Sequence, residues 1–142
     1  MEKVWSELRQ VLLVRWMRYW LPVVGYAALI FYLSSLLHPE ERLPNFLFEK
    51  LSDKFLHVVE YAVLGMLCYR AFRWSAGPIG AQQAMLLAIV AGSFYGMTDE
   101  VHQAFVPLRE SSWTDWLADM VGVAVGAFGA RHLMHGNDTS DE

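Results

Sequence analysis

The sequence predicts an all-α, polytopic membrane protein: a bundle of about four transmembrane helices with an N-terminal interfacial helix. Three observations lead there: the composition, four apolar segments, and the placement of basic residues. Of the 142 residues, 55% are hydrophobic and 18% are charged, which is more apolar than is usual for a soluble domain of this length. A soluble all-α domain with hydrophobic core helices is disfavoured, since so few charges would have to cover all four segments.

The four apolar segments are residues 21–37, 55–69, 84–97 and 113–133. The first follows "RWMRYW", and basic and aromatic residues are favoured at a membrane interface. It lacks a clear small-residue cleavage site, which favours a retained span over a signal peptide. The second and third are shorter than the about 20 residues of a full span. We therefore expect their polar ends to extend the helices.

The membrane domain is expected to span residues 21–133, and the segments before and after it are expected to differ in structure. Residues 1–20 form a cytoplasmic or interfacial amphipathic segment, because Val4, Trp5, Leu8, Val11 and Leu12 recur at helical spacing. A cytoplasmic extension of the first span is the alternative. Residues 134–142 are polar and are expected to form a disordered cytoplasmic tail.

Basic residues are distributed unevenly between the two sides that four spans would create. Four fall on the side of the first and third loops: Arg42, Lys50, Lys54 and Arg109. Seven fall on the side of both termini: Lys3, Arg9, Arg15, Arg18, Arg70, Arg73 and Arg131. The positive-inside rule therefore places both termini in the cytoplasm and the first and third loops outside.

Several functional classes are disfavoured by composition. The net charge of −4 and the lack of a basic stripe predict no nucleic-acid partner. The single cysteine, Cys68, excludes an internal disulfide framework. No glycine-rich phosphate loop or nucleophile elbow occurs, and no cofactor is predicted. No sequence feature specifies an oligomer.

Polar residues and glycines recur at helical spacing and form three stripes, each on one face of a helix. The stripes are Asp53, His57 and Glu60; Gly92, Gly96, Asp99 and Gln103; and Asp115, Asp119, Gly122 and Gly126. Glycines let helices approach closely in a membrane, and carboxylates near bilayer depth need a polar cavity or a partner. We therefore expect the acidic ends to gather in an outward-facing pocket, with the third helix continuing through Asp99 and Gln103. His102 and Glu110 are interpreted as solvated loop residues.

Several chemistries could use such a pocket. His57 beside Glu60 or Asp99 would be a general base oriented by a carboxylate. The forked donors of Arg109 would bind a phosphate or carboxylate. His57 with Asp53, Asp99 or Asp115 could ligate a divalent metal, but no metal-ligand spacing is present and no metal is predicted. A purely structural cluster that fixes helix register stays open.

These residues also carry a family resemblance. "DKFLHVVEYAVLG" (53–65), "GMTDEVHQAFVPLRESSWTD" (96–115) and "DWLADMVGVAVG" (115–126) resemble the VanZ-like family of small bacterial membrane proteins. The matching positions are Asp53, Lys54, His57, Tyr61, Asp99, Glu100, Gln103, Pro107, Arg109 and Asp115. Two positions depart from the family pattern: Leu108 stands where glycine is frequent, and Asp119 stands where asparagine is common.

The resemblance implies a multi-pass protein of the bacterial inner membrane, and founding members are associated with resistance to teicoplanin-type glycopeptides. The function predicted for the chain is to bind or modify a cell-envelope molecule, either a lipid head group or a peptidoglycan precursor. The expected partners are membrane lipid and a lipid-linked envelope precursor or a glycopeptide. Candidate catalytic residues are His57, Glu60, Asp99 and Asp115. Candidate ligand-binding residues are Asp53, Lys54, Tyr61, Glu100, Gln103 and Arg109.

Overall fold

The computed structural model describes residues 2–36, 53–107 and 111–136. Within these ranges the chain is helical and contains no strand, which confirms the all-α prediction. The helices are α1 (Glu2–Ser34), α2 (Asp53–Ser75), α3 (Gly77–Gln82), α4 (Ala84–Gln103) and α5 (Trp113–Gly136). The predicted loop between the first and second spans lies almost wholly outside the described residues, as does the C-terminal tail from residue 137.

Three helical segments of the described chain are long and apolar enough to cross a membrane: Lys54–Ser75, Ala84–Gln103 and Trp113–Met134. That is fewer than the four predicted, so the fold prediction is confirmed only in part. The polar ends of the second and third apolar segments do extend their helices. In α4 the extension carries the helix through Asp99 to Gln103, as expected.

The predicted N-terminal helix is present, and it is continuous with the first apolar segment. α1 runs unbroken from Glu2 to Ser34 and contains Pro22. The apolar part that begins at Leu21 is about 14 residues long within α1, which is roughly 21 Å at 1.5 Å per residue. α1 as a whole is 33 residues long, and it is not among the three segments that are long and apolar enough to cross a membrane.

The long helices alternate in direction. Trp20 Nε1 of α1 donates to Ser75 Oγ at the end of α2 (2.8 Å), and Tyr26 donates to the Glu60 carbonyl (3.1 Å). α1 and α2 are therefore antiparallel. We call the end of the bundle that holds Ser34, the start of α2, the end of α4 and the start of α5 the site end. The opposite end, with Trp20 and Ser75, is the far end.

α2 and α5 are in backbone contact along their length. A methyl group on Gly122 would collide with the Val58 carbonyl, and one on Gly126 would collide with the Ala62 carbonyl. Only glycine allows this approach, which is the small-residue packing of membrane helices. The sequence predicted it from the Gly122 and Gly126 spacing. Because the two backbones touch, polar residues on their facing sides are brought within bonding distance at the site end.

The outer surfaces of the helices are apolar. Leu86, Phe94 and Val125 expose 60%, 61% and 57% of their surfaces, although all three are large hydrophobic side chains. Exposed apolar surface on this scale is costly in water and suits a lipid environment. The interior of the described chain instead holds small residues, a few large apolar side chains such as Tyr61 and Leu64, and seven buried polar residues.

Candidate functional site

Buried polar side chains gather at the site end of the bundle. α1 contributes one, α2 one, α4 three and α5 two: Ser34, His57, Asp99, Glu100, Gln103, Asp115 and Asp119. Polar side chains are rarely buried among apolar helices unless they are partnered or functional. The hydrogen-bond partners of each side chain therefore indicate its role. Fully partnered side chains hold the helices together, and side chains with an unpartnered atom are available to bind a ligand.

His57 and Asp119 form the most deeply buried pair of the cluster. His57 Nδ1 lies 2.9 Å from Asp119 Oδ1, and the Asp119 side chain has no exposed surface. The second oxygen, Asp119 Oδ2, has no hydrogen-bond partner within the described residues. It faces Gly96, where a Cβ would lie 3.0 Å from that oxygen. The glycine stripe of α4 thus provides the room that the Asp119 carboxylate occupies.

Glu100 connects α4 to the start of α5. Its Oε2 accepts hydrogen bonds from the Ser112 backbone N–H (2.8 Å) and the Ser111 hydroxyl (3.1 Å). Ser112 also caps α5, since its Oγ accepts a hydrogen bond from the Thr114 backbone N–H at 3.3 Å, as serine often does just before a helix. Glu100 Oε1, however, has no partner within the described chain.

Asp99 is fully engaged by neighbouring side chains. Ser34 donates to its Oδ1 at 2.6 Å, and Gln103 Nε2 donates to its Oδ2 at 2.9 Å. The Ser34 bond joins α1 to α4. With both oxygens partnered, Asp99 is suited to holding helices together.

Asp115 and Lys54 lie at the rim. Lys54 Nζ is 2.6 Å from Asp115 Oδ1 and donates to the Thr114 hydroxyl at 2.7 Å. The Lys54 side chain is 57% exposed, so this pair is screened by solvent and contributes little to stability. Lys54 nevertheless places a positive charge at the edge of an otherwise acidic cluster.

Tyr61 is completely buried beside the cluster, and its hydroxyl has no partner within the described residues. Its Cε1 lies 3.2 Å from the position that a Cβ on Gly96 would take, so its ring is next to Asp119. The neighbouring Tyr95, with ring centroids 6.4 Å apart, instead donates its hydroxyl to the Ala27 carbonyl. Of these two adjacent tyrosines, only Tyr95 has a hydrogen-bond partner for its hydroxyl in the part of the chain that the structure describes.

Three side chains of the cluster place atoms that could bind a metal ion or another ligand close together. His57, Glu100 and Asp119, on three different helices, each offer a nitrogen or oxygen within 4.8 Å of the others. One imidazole and two carboxylates can move a proton, accept hydrogen bonds from a ligand, or coordinate a divalent cation. Because the three residues come from separate segments of the chain, no short sequence motif predicts that they meet.

The family described as VanZ/LLP1 matches residues 14–134. The chain belongs to the VanZ/LLP1 family. The match confirms the resemblance and extends it from residues 53–126 into α1, so the N-terminal helix is part of what the family shares. Together with the apolar helices it makes the chain a VanZ/LLP1 membrane protein. No curated protein and no solved structure matches the chain.

The structure places most of the predicted VanZ/LLP1 site residues together. Those that meet at the site end are Lys54, His57, Tyr61, Asp99, Glu100, Gln103 and Asp115. Glu60 is half-buried, and its backbone carbonyl accepts the bond from Tyr26. Asp53 begins α2, but its side chain lies outside the described atoms, and Leu108, Arg109 and Glu110 lie outside the described residues.

Two members of the cluster were not among the predicted site residues. Asp119 stands one turn after Asp115 in the same stripe, so its spacing already placed it toward the bundle. Ser34 belongs to the "SS" pair that ends the first apolar helix and gave no comparable indication. The interpretation of His102 as a solvated loop residue was wrong. It lies in α4, stacks on Phe31 at 4.4 Å, and its Nε2 is 3.0 Å from Ser35 Oγ.

Proposed function

We propose that this VanZ/LLP1 membrane protein binds or modifies a cell-envelope molecule through the polar cluster at the site end. One observation supports this above others: Tyr61 Oη, Glu100 Oε1 and Asp119 Oδ2 are buried and have no partner within the described chain. Each such group costs about 1–3 kcal/mol. A ligand that bonds to these atoms would remove that cost, so the cluster has the properties of a binding site rather than of a finished core.

The unpartnered atoms indicate the chemistry of the ligand. Two of them, on Glu100 and Asp119, are carboxylate oxygens that accept hydrogen bonds, so a ligand must offer donors such as hydroxyl or amino groups. Lys54 at the rim offers a cation to a phosphate. A lipid-linked molecule with a phosphate and a hydroxyl-rich head group has both features. A membrane lipid head group and a peptidoglycan precursor share this chemistry.

The charge distribution of the bundle supports an outward-facing site. Arg15 donates to the Trp74 carbonyl, Arg70 contacts the Arg18 carbonyl, and a cavity of about 430 Å³ at the far end is lined by Arg73 and Arg131. The far end is thus rich in arginine. By the positive-inside rule it faces the cytoplasm of the bacterial inner membrane. Both ends of the chain then lie inside, and the polar cluster faces the cell envelope.

Modification of the bound molecule would depend on His57. Its ring lies 2.9 Å from Asp119, and a carboxylate at this distance holds an imidazole in one orientation and stabilises its protonated form. Asp119 can therefore take this role, for which the sequence suggested Glu60 or Asp99. If the bound molecule is turned over, His57→Ala abolishes turnover in a protein that still binds.

A structural role is the second candidate, and a specific set of contacts favours it. The Ser34–Asp99 bond joins α1 to α4, Glu100 joins α4 to the start of α5, and the Lys54–Asp115 pair joins α2 to α5. Such links fix helix packing without any ligand. A structural cluster, however, would gain nothing from leaving three buried atoms without partners.

Native mass spectrometry of protein released from lipid nanodiscs separates the two candidates. We expect the wild type to retain a lipid or precursor mass, and Asp119→Asn and Glu100→Gln to lose it at least tenfold. Asp115→Asn is the matched control, since it changes an acid on the same helix that already pairs with Lys54. An unliganded wild type, together with variants that lose only thermal stability, would support the structural role instead.

A cellular test addresses the link to glycopeptide resistance. If the ligand is a peptidoglycan precursor, a bacterium that expresses the wild type should tolerate more teicoplanin than one that expresses Asp119→Asn at equal membrane abundance. Equal susceptibility with an intact lipid adduct would assign the site to a membrane lipid. The two sources of the same chemistry are thereby distinguished.

A further inference from the structure

We propose that His57, Glu100 and Asp119 bind one divalent metal ion of the zinc type. The sequence predicted no metal, and the sets it considered paired His57 with Asp53, Asp99 or Asp115. The structure brings together a different set, drawn from α2, α4 and α5. This metal site does not depend on the proposed lipid ligand, since the three side chains would hold the ion by themselves.

The spacing of the three side chains suits one ion. Their ligand-capable atoms lie within 4.8 Å of one another, whereas ligands of tetrahedral zinc, at ~2.0–2.2 Å from the metal, are ~3.3 Å apart. A small inward movement of the side chains closes the difference. The 2.9 Å between His57 Nδ1 and Asp119 Oδ1 is a hydrogen-bond distance and is also close to the spacing of two ligands of one ion.

Unpartnered oxygens point to the same three residues. Of the acids in the cluster, Asp99 has donors on both oxygens and Asp115 is paired with Lys54. The remaining two, Glu100 and Asp119, are more than nine-tenths buried, and each has one oxygen without a partner among the described residues. The oxygens that a cation could bind therefore belong to two of the three proposed ligands and not to the other acids of the cluster.

The negative charge of the two carboxylates and the hydrogen bonds that orient Glu100 both favour a cation at this position. Two carboxylates a few ångströms apart and shielded from water are costly unless a cation balances them, and a dication balances both. Glu100 Oε2 is already held by Ser111 and Ser112, which fixes its direction as outer-shell partners of metal ligands do. Three protein ligands leave a fourth position for water or for an oxygen of a bound molecule.

Metal analysis of the wild type provides the first test. Protein purified without chelator is assayed by inductively coupled plasma mass spectrometry, then stripped with EDTA and titrated with Zn²⁺ alone and with Mn²⁺ alone. We expect about one equivalent of metal per chain and a rise in unfolding temperature when Zn²⁺ is returned. A wild type that holds no metal and shows no shift with either ion would overturn the proposal.

Variants locate the ion. Asp119→Asn and Glu100→Gln should each reduce metal retention at least tenfold. Asp115→Asn should retain it. Equal retention in all three proteins would overturn the assignment. If the amide variants do not fold, the zinc-dependent shift of the wild type still decides the question.

Lipid retention by the stripped protein separates this inference from the proposed function. Metal bound without any lipid adduct would leave the metal site intact and count against the binding of an envelope molecule. A lipid adduct on a protein that binds no metal would overturn the metal site and support the binding of an envelope molecule.

Discussion

His57 Nδ1 lies 2.9 Å from Asp119 Oδ1, and the two side chains are almost fully shielded from solvent. The pair joins α2 to α5 one turn before Gly122, where the two backbones come into contact. Its closeness is thus a product of glycine packing as much as of the two side chains. The same packing that builds the bundle therefore also assembles the polar cluster.

Removing one member of this pair should cost more than removing both. His57→Ala leaves the Asp119 carboxylate buried without its partner, and breaking a buried pair costs about 3–5 kcal/mol. The double variant His57→Ala/Asp119→Ala loses the contact but leaves no buried charge behind. We expect it to unfold at a higher denaturant concentration than His57→Ala alone, as measured by circular dichroism in detergent. Additive losses would show that the two residues are not coupled.

The two neighbouring tyrosines should respond differently to loss of the hydroxyl. Tyr61→Phe removes a buried hydroxyl with no partner in the described chain, so stability should be unchanged or rise by about 1 kcal/mol. Tyr95→Phe is the matched control and removes the hydrogen bond from the hydroxyl to the Ala27 carbonyl, which should cost about 1 kcal/mol. Thermal unfolding of both variants in one detergent makes the comparison. Equal destabilisation would mean that Tyr61 has a partner the described residues do not supply.

Glycine substitutions test the contact between α2 and α5. Gly126→Ala places a methyl group against the Ala62 carbonyl, and relief of the clash requires the backbones to separate. We expect a loss of about 1–3 kcal/mol and weaker ligand or metal retention, because the cluster lies on the same interface. Gly129→Ala is the control, since nothing lies within 4 Å of its added methyl. If both variants unfold at the same temperature, the helices are not held by this contact.

Helical periodicity was sufficient to predict much of the bundle. The spacing of Gly122 and Gly126 indicated a close helix contact, and the stripe through Gly92 and Gly96 placed Asp99 on a buried face. Both are properties of one helix, because an α-helix turns by a fixed angle per residue. The continuity of α1 was harder to predict, since a change from amphipathic to apolar sequence need not interrupt a helix.

Pairing between helices could not be predicted from the sequence. The partner of His57 depends on how far α5 is rotated and shifted against α2, and a shift of one turn would exchange Asp119 for Asp115. The bond between Ser34 and Asp99 depends in the same way on how α1 approaches α4. The roles predicted for Asp53 and Arg109 stay predictions, since the side chain of the first and the whole of the second lie outside the described residues.

The Ser34–Asp99 bond predicts how α1 is held at the site end. Ser34→Ala leaves Asp99 Oδ1 buried without its 2.6 Å donor, which should cost about 1–3 kcal/mol for a bond to a charged group. Thr98→Ala is the control, because its exposed hydroxyl bonds only the Tyr95 carbonyl of its own helix. We expect Ser34→Ala to lower the unfolding temperature and to increase proteolysis within α1, whereas Thr98→Ala should match the wild type. Equal behaviour would show that α1 is held by its apolar contacts alone.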